Sequence, residues 1–265
     1  MKIVVCVKQV PETANVRINP ETNTLIREGV QSIVNPFDMY ALEEALRVRE
    51  KQGGTVTALT MGPPQAADVL REAVGLGVDD AVLLSDRAFA GADTLATAYV
   101  LAAAIRKIGG VDLVFMGRQA IDGDTGQVGP GVAENLGIPH VTDIRKIERI
   151  EDGRLTVERL LEDGIARLRL PLPALLTVTK EINVPRLPSL KGKLAARKKE
   201  IPTWKAADLD VKAERLGLDG SPTQVLRIFT PPKPSGGKVF KGTGAETVDA
   251  LLTELASGGI SLRKK

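Results

Sequence analysis

The residues best suited to binding chemistry lie in one stretch, GRQAIDGDTGQVGP at 117–130. Gly123, Gly126 and Gly129 recur every third residue, a spacing that lets backbone approach a ligand closely. Asp124 and Thr125 have N-cap side chains for a helix running to about Asn135. A helix start with open amides suits phosphate, its dipole adding about 0.3–1 kcal/mol per favourable charge at an exposed site. Asp122 and Asp124 would repel that anion. At least one of them is therefore expected to cap its own backbone, leaving Arg118 and Gln127 to meet the ligand. The spacing is equally compatible with an ordinary strand-to-helix turn that binds nothing, and it matches neither the G-x-G-x-x-G fingerprint nor a P-loop. A second candidate anion site is the start of the alanine- and leucine-rich helix that Asp93 or Thr94 would cap; a plain capped helix is the simpler reading there.

Other chemistries are poorly supplied. Cys6 is the one cysteine, so there is no intrachain disulfide and a reducing compartment fits. One histidine, His140, excludes most histidine-rich metal sites and any triad needing several such groups; following Pro139 at a strand start, it is expected to be packed and structural. The balance of 36 basic against 33 acidic residues and an aromatic content of 3% set nucleic acid aside. The N-terminal apolar run is too short for a signal sequence and no stretch approaches 18 apolar residues, so a cytoplasmic protein without membrane insertion is expected.

The elements that must position these residues alternate in type. Lys2 to Lys8 is a continuously apolar, β-branched strand with Cys6 in the core, and Pro11 to Ile33 an irregular hairpin returning the chain to the sheet edge. Asn35-Pro-Phe-Asp38 opens a helix, with Asp38 as N-cap, that stops at Gly53-Gly54. Strand Thr55–Met61, helix Gln65–Val74, strand Ala81–Leu84, the helix from 93 or 94 to 105 and strand Val111–Met116 follow. This βα alternation predicts an α/β fold with a doubly wound, mostly parallel sheet, its ligand at the switch point between the first strand and the strand before Gly117. Strands Val141–Ile150, Arg154–Leu161 and Ile165–Leu170, joined by two Glu-Asp-Gly turns, read as a β-ribbon, and Pro173–Thr179 as another apolar strand. A basic helix with Arg197, Lys198 and Lys199 comes next. Residues 200–244, with five prolines and the apolar anchors Trp204, Val225, Leu226, Ile228 and Phe229, look built to wrap a partner, before a final amphipathic helix Ala245–Ala256. The expected division is a nucleotide-binding domain over 1–199 and a C-terminal arm with helix over 200–265.

Four motifs, VCVKQVP at 5–11, NPFD at 35–38, MGPP at 61–64 and the stretch at 117–130, together resemble the beta subunit of electron-transfer flavoproteins, over essentially the whole chain. The resemblance implies an adenine-nucleotide alpha-hydrolase-like sheet. It implies an adenine nucleotide held at Cys6, Asn35, Pro36, Phe37, Asp38, Met61, Gly117, Arg118, Gln119, Ala120, Ile121, Asp122, Gly123, Asp124, Thr125, Gly126, Gln127 and Val128. It also implies an obligate heterodimer with an alpha subunit carrying its own FAD, exchange with acyl-CoA dehydrogenases, and a recognition loop at 185–191 in which Arg186, Leu187 and Leu190 meet the partner, Leu190 as anchor. DRAFAGADTLATAY at 86–99 and LGLDGSPTQVLRIFTPP at 216–232 resemble the electron-bifurcating branch. That branch holds FAD in place of AMP, takes hydride from NADH and sends one electron to ferredoxin or flavodoxin. The longer ligand would draw on Asp93, Thr94, Thr97, Ser221, Pro222 and Thr223. No side chain acts as a chemical catalyst; the protein positions and tunes the flavin. One alternative is a non-bifurcating beta subunit with structural AMP. Another is a stand-alone nucleotide sensor or ATP-pyrophosphatase, the latter lacking its Ser-Gly-Gly-x-Asp-Ser loop where this chain has Lys8-Gln-Val-Pro11.

Overall fold

The computed structural model describes residues 1–12, 32–226, 229 and 235–260, and of the segment between 12 and 32 only the backbone of 17–18 and 25–26. Continuous apolar runs make the inner strands, and helix-formers ended by glycine make the helices. In order these are β1 (Lys2–Cys6), β2 (Gln9–Pro11), β3 (Arg17–Ile18), β4 (Leu25–Ile26), β5 (Ser32–Val34), α1 (Pro36–Gln52), β6 (Thr55–Met61), α2 (Ala67–Leu76), β7 (Asp80–Leu84), α3 (Thr94–Ile108) and β8 (Leu113–Gly117). The second half adds α4 (Val128–Leu136), β9 (His140–Glu151), β10 (Arg154–Leu160), β11 (Ile165–Pro171), β12 (Ala174–Val178), α5 (Leu190–Lys198), β13 (Thr203–Trp204) and α6 (Gly244–Ser257).

The main sheet has nine strands in the order β11-β10-β9-β12-β8-β1-β6-β7-β13, parallel from β9 to β13 and antiparallel from β9 to β11. Alternate residues of β1 feed two separate cores, as the two-residue strand period requires. Ile3 and Val5 pack with α1, α2 and Ala196 of α5, while Val4 and Cys6 pack with α3 and α4. This is the predicted doubly wound sheet. The β-ribbon is joined to it, β9 pairing with β12. Among the described residues the early hairpin does not join the main sheet: β2 pairs with β5 and β3 with β4 as two small antiparallel sheets, and the rest of that hairpin lies outside the described residues.

The chain divides into compact units Met1–Arg227 and Ile228–Lys265, so the first unit runs past the expected boundary at 199/200. Residues 200–226 fasten onto it by specific contacts. β13 adds to β7 as the edge strand, Leu209 and Leu216 are buried in the core on the α3 side, and the Lys107 ammonium lies 4.4 Å from the centre of the Trp204 ring. The Arg215 guanidinium lies 3.8 Å over Tyr99, whose hydroxyl accepts from the Lys212 amide at 2.9 Å. In the second unit, α6 starts with a capping box between Thr243 and Glu246 and buries none of its residues, leaving Val248, Leu251 and Leu252 exposed. Among the described residues no helix is long and apolar enough to cross a membrane.

Candidate functional site

From β1 the chain builds outward through β6 and β7, then returns to β8 on the other flank of β1. That reversal creates a crevice outside the carboxyl ends of β1 and β8, the place where open α/β sheets take ligands. The NPFD turn holds it together. Pro36 occupies the first position of α1, where a missing N–H costs nothing, and Asn35 precedes it without a side-chain cap bond. Asp38 is therefore not the expected N-cap. Its buried carboxylate instead accepts from the backbone amides of Lys8, at 2.8 Å, and Gly117, at 3.1 Å, joining the ends of the two switch-point strands. Asn35, also buried, donates to the Gln119 carbonyl at 2.9 Å and accepts from the Ile121 amide at 3.2 Å.

Burial pushes the Asp38 carboxyl up to about 7, against hydrogen bonds from Asn35, Lys8 and Gly117 that pull it down. Cys6 lies in the core beneath, its thiol raised far above the ordinary range by burial and then by the Asp38 charge, which suits packing and not nucleophilic chemistry.

The loop after β8 has a different internal logic from the one its spacing suggested. A Cβ at Gly117 would fall 2.3 Å from Asp38 Oδ1 and 2.7 Å from Phe37, and one at Gly129 would fall 2.4 Å from Thr177 Cγ2. Those two glycines answer to packing within the chain. Gly126 has φ +62°, a turn conformation, and only Gly123 borders open space. Neither Asp124 nor Thr125 caps α4. The helix begins at Val128 after Gln127, with no side-chain cap. Asp124 sits at φ 52° in a turn closed by its amide donating to the Ala120 carbonyl, and its carboxylate accepts from Gln119 Nε2 at 2.8 Å. Asp122 pairs with Lys8 Nζ at 2.7 Å, and Arg118 with Asp143 at 3.1 Å. Both loop aspartates are thus held by side chains.

The second candidate helix start is as expected: Asp93 caps α3, its Oδ1 accepting from the amides of Leu95 and Ala96. Its other oxygen takes the Thr223 amide at 3.1 Å and hydroxyl at 2.8 Å, and its own amide donates to Ser221 Oγ at 2.8 Å. Four hydrogen bonds outweigh the cost of desolvation and hold the Asp93 carboxyl below the usual range. The Ser221 hydroxyl is in turn donated to the Gly217 carbonyl, and Pro222 is exposed. Thr94 Oγ1 donates to Gln127 Oε1 at 2.8 Å, so the starts of α3 and α4 are directly joined; Thr97 lies half-buried one turn into α3. Met61 ends β6, beside β1, half-buried against the core on the α3 side.

The segment 185–191 follows β12 and leads into α5. Leu187 and Leu190 are 90% and 76% exposed, but Arg186 is bound to Glu43 and Glu50 of α1. That pairing was missed in the sequence, although Glu43, Arg47 and Glu50 at i, i+4 and i+7 share one helix face and mark a charged stripe. His140 is exposed at the start of β9, not packed. A hollow of about 210 Å³ lies far from these residues, at the opposite end of the strands, lined by Ile105, Val111, Leu136, Ile138 and Pro173. The one charged side chain of its lining, Arg106, donates to the Asn135 carbonyl.

The strand order defines a doubly wound α/β protein with a single switch point, between β1 and β8. Residues 22–209 match the family described as "Electron transfer flavoprotein domain". The chain is 56% identical over 258 residues to the electron transfer flavoprotein subunit beta of Thermoanaerobacterium thermosaccharolyticum, spanning 97% of this chain and 98% of the relative. It is 51% identical to the protein of that name from Clostridium acetobutylicum, over 100% and 98% of the two chains. It is 50% identical to the caffeyl-CoA reductase-Etf complex subunit CarD of Acetobacterium woodii, over 96% and 98%. The chain belongs to the electron transfer flavoprotein beta subunit family, and its work is electron transfer.

Proposed function

We propose that this beta subunit pairs with an alpha subunit in the cytoplasm and holds FAD, in place of AMP, along the switch-point crevice. The observation that carries the reading is the Thr94–Gln127 hydrogen bond, together with the Asp93 clamp on 221–223. These contacts set the start of α3 and the turn at 221–223 beside the start of α4, so candidate ligand groups continue beyond the first loop, as a ligand longer than AMP requires. The uncapped start of α4 fits a phosphate: its N-cap residue, Gln127, makes no side-chain cap bond there. The loop carboxylates fit too, Asp122 being neutralised by Lys8. FAD bound there would supply the redox chemistry, taking a hydride from NADH and giving one electron to ferredoxin or flavodoxin and one to the alpha-subunit FAD, which leads to an acyl-CoA dehydrogenase. The chain's own part is to fix the two strand ends through Asp38 and Asn35, to hold the start of α3 through Asp93, and to present Leu190 and its neighbours to the dehydrogenase. The name of the Acetobacterium woodii relative, a subunit of a CoA-thioester reductase complex, supports a partner of that kind.

Nucleotides released from the denatured heterodimer test the reading. Two FAD per heterodimer, with flavin bleaching by NADH, is the expected result; one FAD with one AMP and no response to NADH would exclude it in favour of the AMP-holding subunit.

A further inference from the structure

The exposed leucines at 187 and 190 belong to a segment that is tied down at both ends. On the α1 side, Asn183 Nδ2 donates to the Tyr40 carbonyl and to Glu44, both at 3.0 Å, and Arg47 donates to the Val184 carbonyl at 3.2 Å. Arg186 then places Nε 2.8 Å and its own amide 3.1 Å from Glu43 Oε2, while Nη1 and Nη2 lie 2.6 and 3.1 Å from the two oxygens of Glu50. The Glu43 side chain is only 4% exposed. Burial raises its carboxyl, but the hydrogen bonds from Arg186 and Arg47 outweigh that and leave it below its ordinary value. On the α2 side, α5 sits so close that a Cβ at Gly192 would fall 2.2 Å from the Gly75 carbonyl oxygen. Between these fastenings Leu187, Ser189, Leu190 and Lys191 are exposed, while Pro188 is half-buried beside Gly75 of α2.

We infer that Arg186 is a positioning residue for the electron-transfer partner: locked between Glu43 and Glu50, it fixes where Leu187 and Leu190 are presented and does not itself meet the partner. The inference rests on the proposal that these leucines dock a dehydrogenase. Its physical basis is that a fork of guanidinium donors spent on two carboxylates has little left to offer a third group. A segment ordered before binding also loses less freedom when it docks. Glu43 makes the distinction testable, because a side chain this buried cannot touch a partner yet shares the same hydrogen bonds.

The experiment uses the assembled heterodimer and an acyl-CoA dehydrogenase as the varied substrate, reading KM and kcat separately. Glu43→Gln should raise KM for the dehydrogenase about fivefold or more, the scale of a lost interface anchor, with kcat and nucleotide content unchanged. Arg186→Gln should do the same, and the double variant should be no worse than either alone. A wild-type KM in Glu43→Gln beside a raised and salt-sensitive KM in Arg186→Gln would make Arg186 a direct contact and overturn the inference. Should Glu43→Gln fail to assemble, Glu50→Gln loosens the same guanidinium from its exposed side and should raise KM in the same way; an unmoved KM there overturns the inference. Leu190→Ala separates the two levels. Unchanged KM in that variant removes the docking proposal and the inference with it, whereas a raised KM in Leu190→Ala alone removes only the role of Arg186.

Discussion

The starts of α1 and α3 each place an aspartate at the same crevice, and the two aspartates are used in opposite ways. Asp38 is buried and reaches across the chain to two strand ends, accepting one amide on each oxygen. Asp93 is only half-buried and serves its own helix with one oxygen and the 221–223 turn with the other, four donors in all. Desolvation dominates the first and raises its carboxyl to about 7; hydrogen bonds dominate the second and lower it. The Lys8 charge pulls Asp38 down as well, but least of the causes, and its ammonium is bound to Asp122. A clamp between strands therefore costs charge stability, whereas a helix cap gains it.

The sharpest way to break this comparison is the pH dependence of Asp38, which carries the largest expected effect. Its folded value lies above its unfolded value of 3.8, so its contribution to stability is fully present below about pH 4 and lost as pH rises through about 7. On acidification from pH 8 to pH 5 the native protein should gain stability relative to Asp38→Asn. The gain is about 1.4 kcal/mol per pH unit once below 7, a few kcal/mol in all. Denaturant unfolding of both proteins at several pH values measures it. A pH-independent difference would mean that Asp38 stays ionised and that burial does not dominate.

Asp93 comes next and should run the other way. Asp93→Ala removes an N-cap, at a cost of about 0.5–2 kcal/mol, and frees residues 221–223. Because its folded value is lowered, the difference between native and variant protein should be full above about pH 4 and shrink as pH falls further. Thermal unfolding at pH 7 and pH 3 reads both signs. Loss equal at the two pH values would show that the hydrogen bonds matter through shape and not through charge.

How much of this was legible depends on the range of the interaction. β1, β6, β7 and β8 could be read because their apolar runs are local, and α1 and α3 because Gly53 and Asp93 mark a stop and a start within the next few residues. The same local grammar misplaced Asp38 and Asp124, which look like caps. Asp38 was claimed by a donor 79 residues away, and Asp124 by the Gln119 side chain across a turn. Gly117 and Gly129 carried a true signal of close approach, but the approaching atoms belong to Asp38, Phe37 and Thr177. Likewise the tail read as coreless because Trp204, Leu209 and Leu216 complete a core they share with α3, about a hundred residues earlier.

The smallest expected effect belongs to the third aspartate of the crevice, Asp122, and it tests whether exposure alone sets the scale. Its bond to Lys8 spans the two switch-point loops, with side chains 31% and 49% exposed. An exposed pair of this kind contributes roughly 0–1 kcal/mol and is screened by salt. Asp122→Asn should therefore change stability by less than about 1 kcal/mol, and by less still at high ionic strength. It would at the same time release the Lys8 ammonium at the loop that precedes α4, adding attraction for an anionic ligand. Nucleotide retention through gel filtration at low salt should then be equal or better than in the native heterodimer. If the variant instead sheds its nucleotide, the Lys8–Asp122 pair is a latch on the loop after β8, and the crevice is held by the ion pair as well as by Asp38 and Asp93.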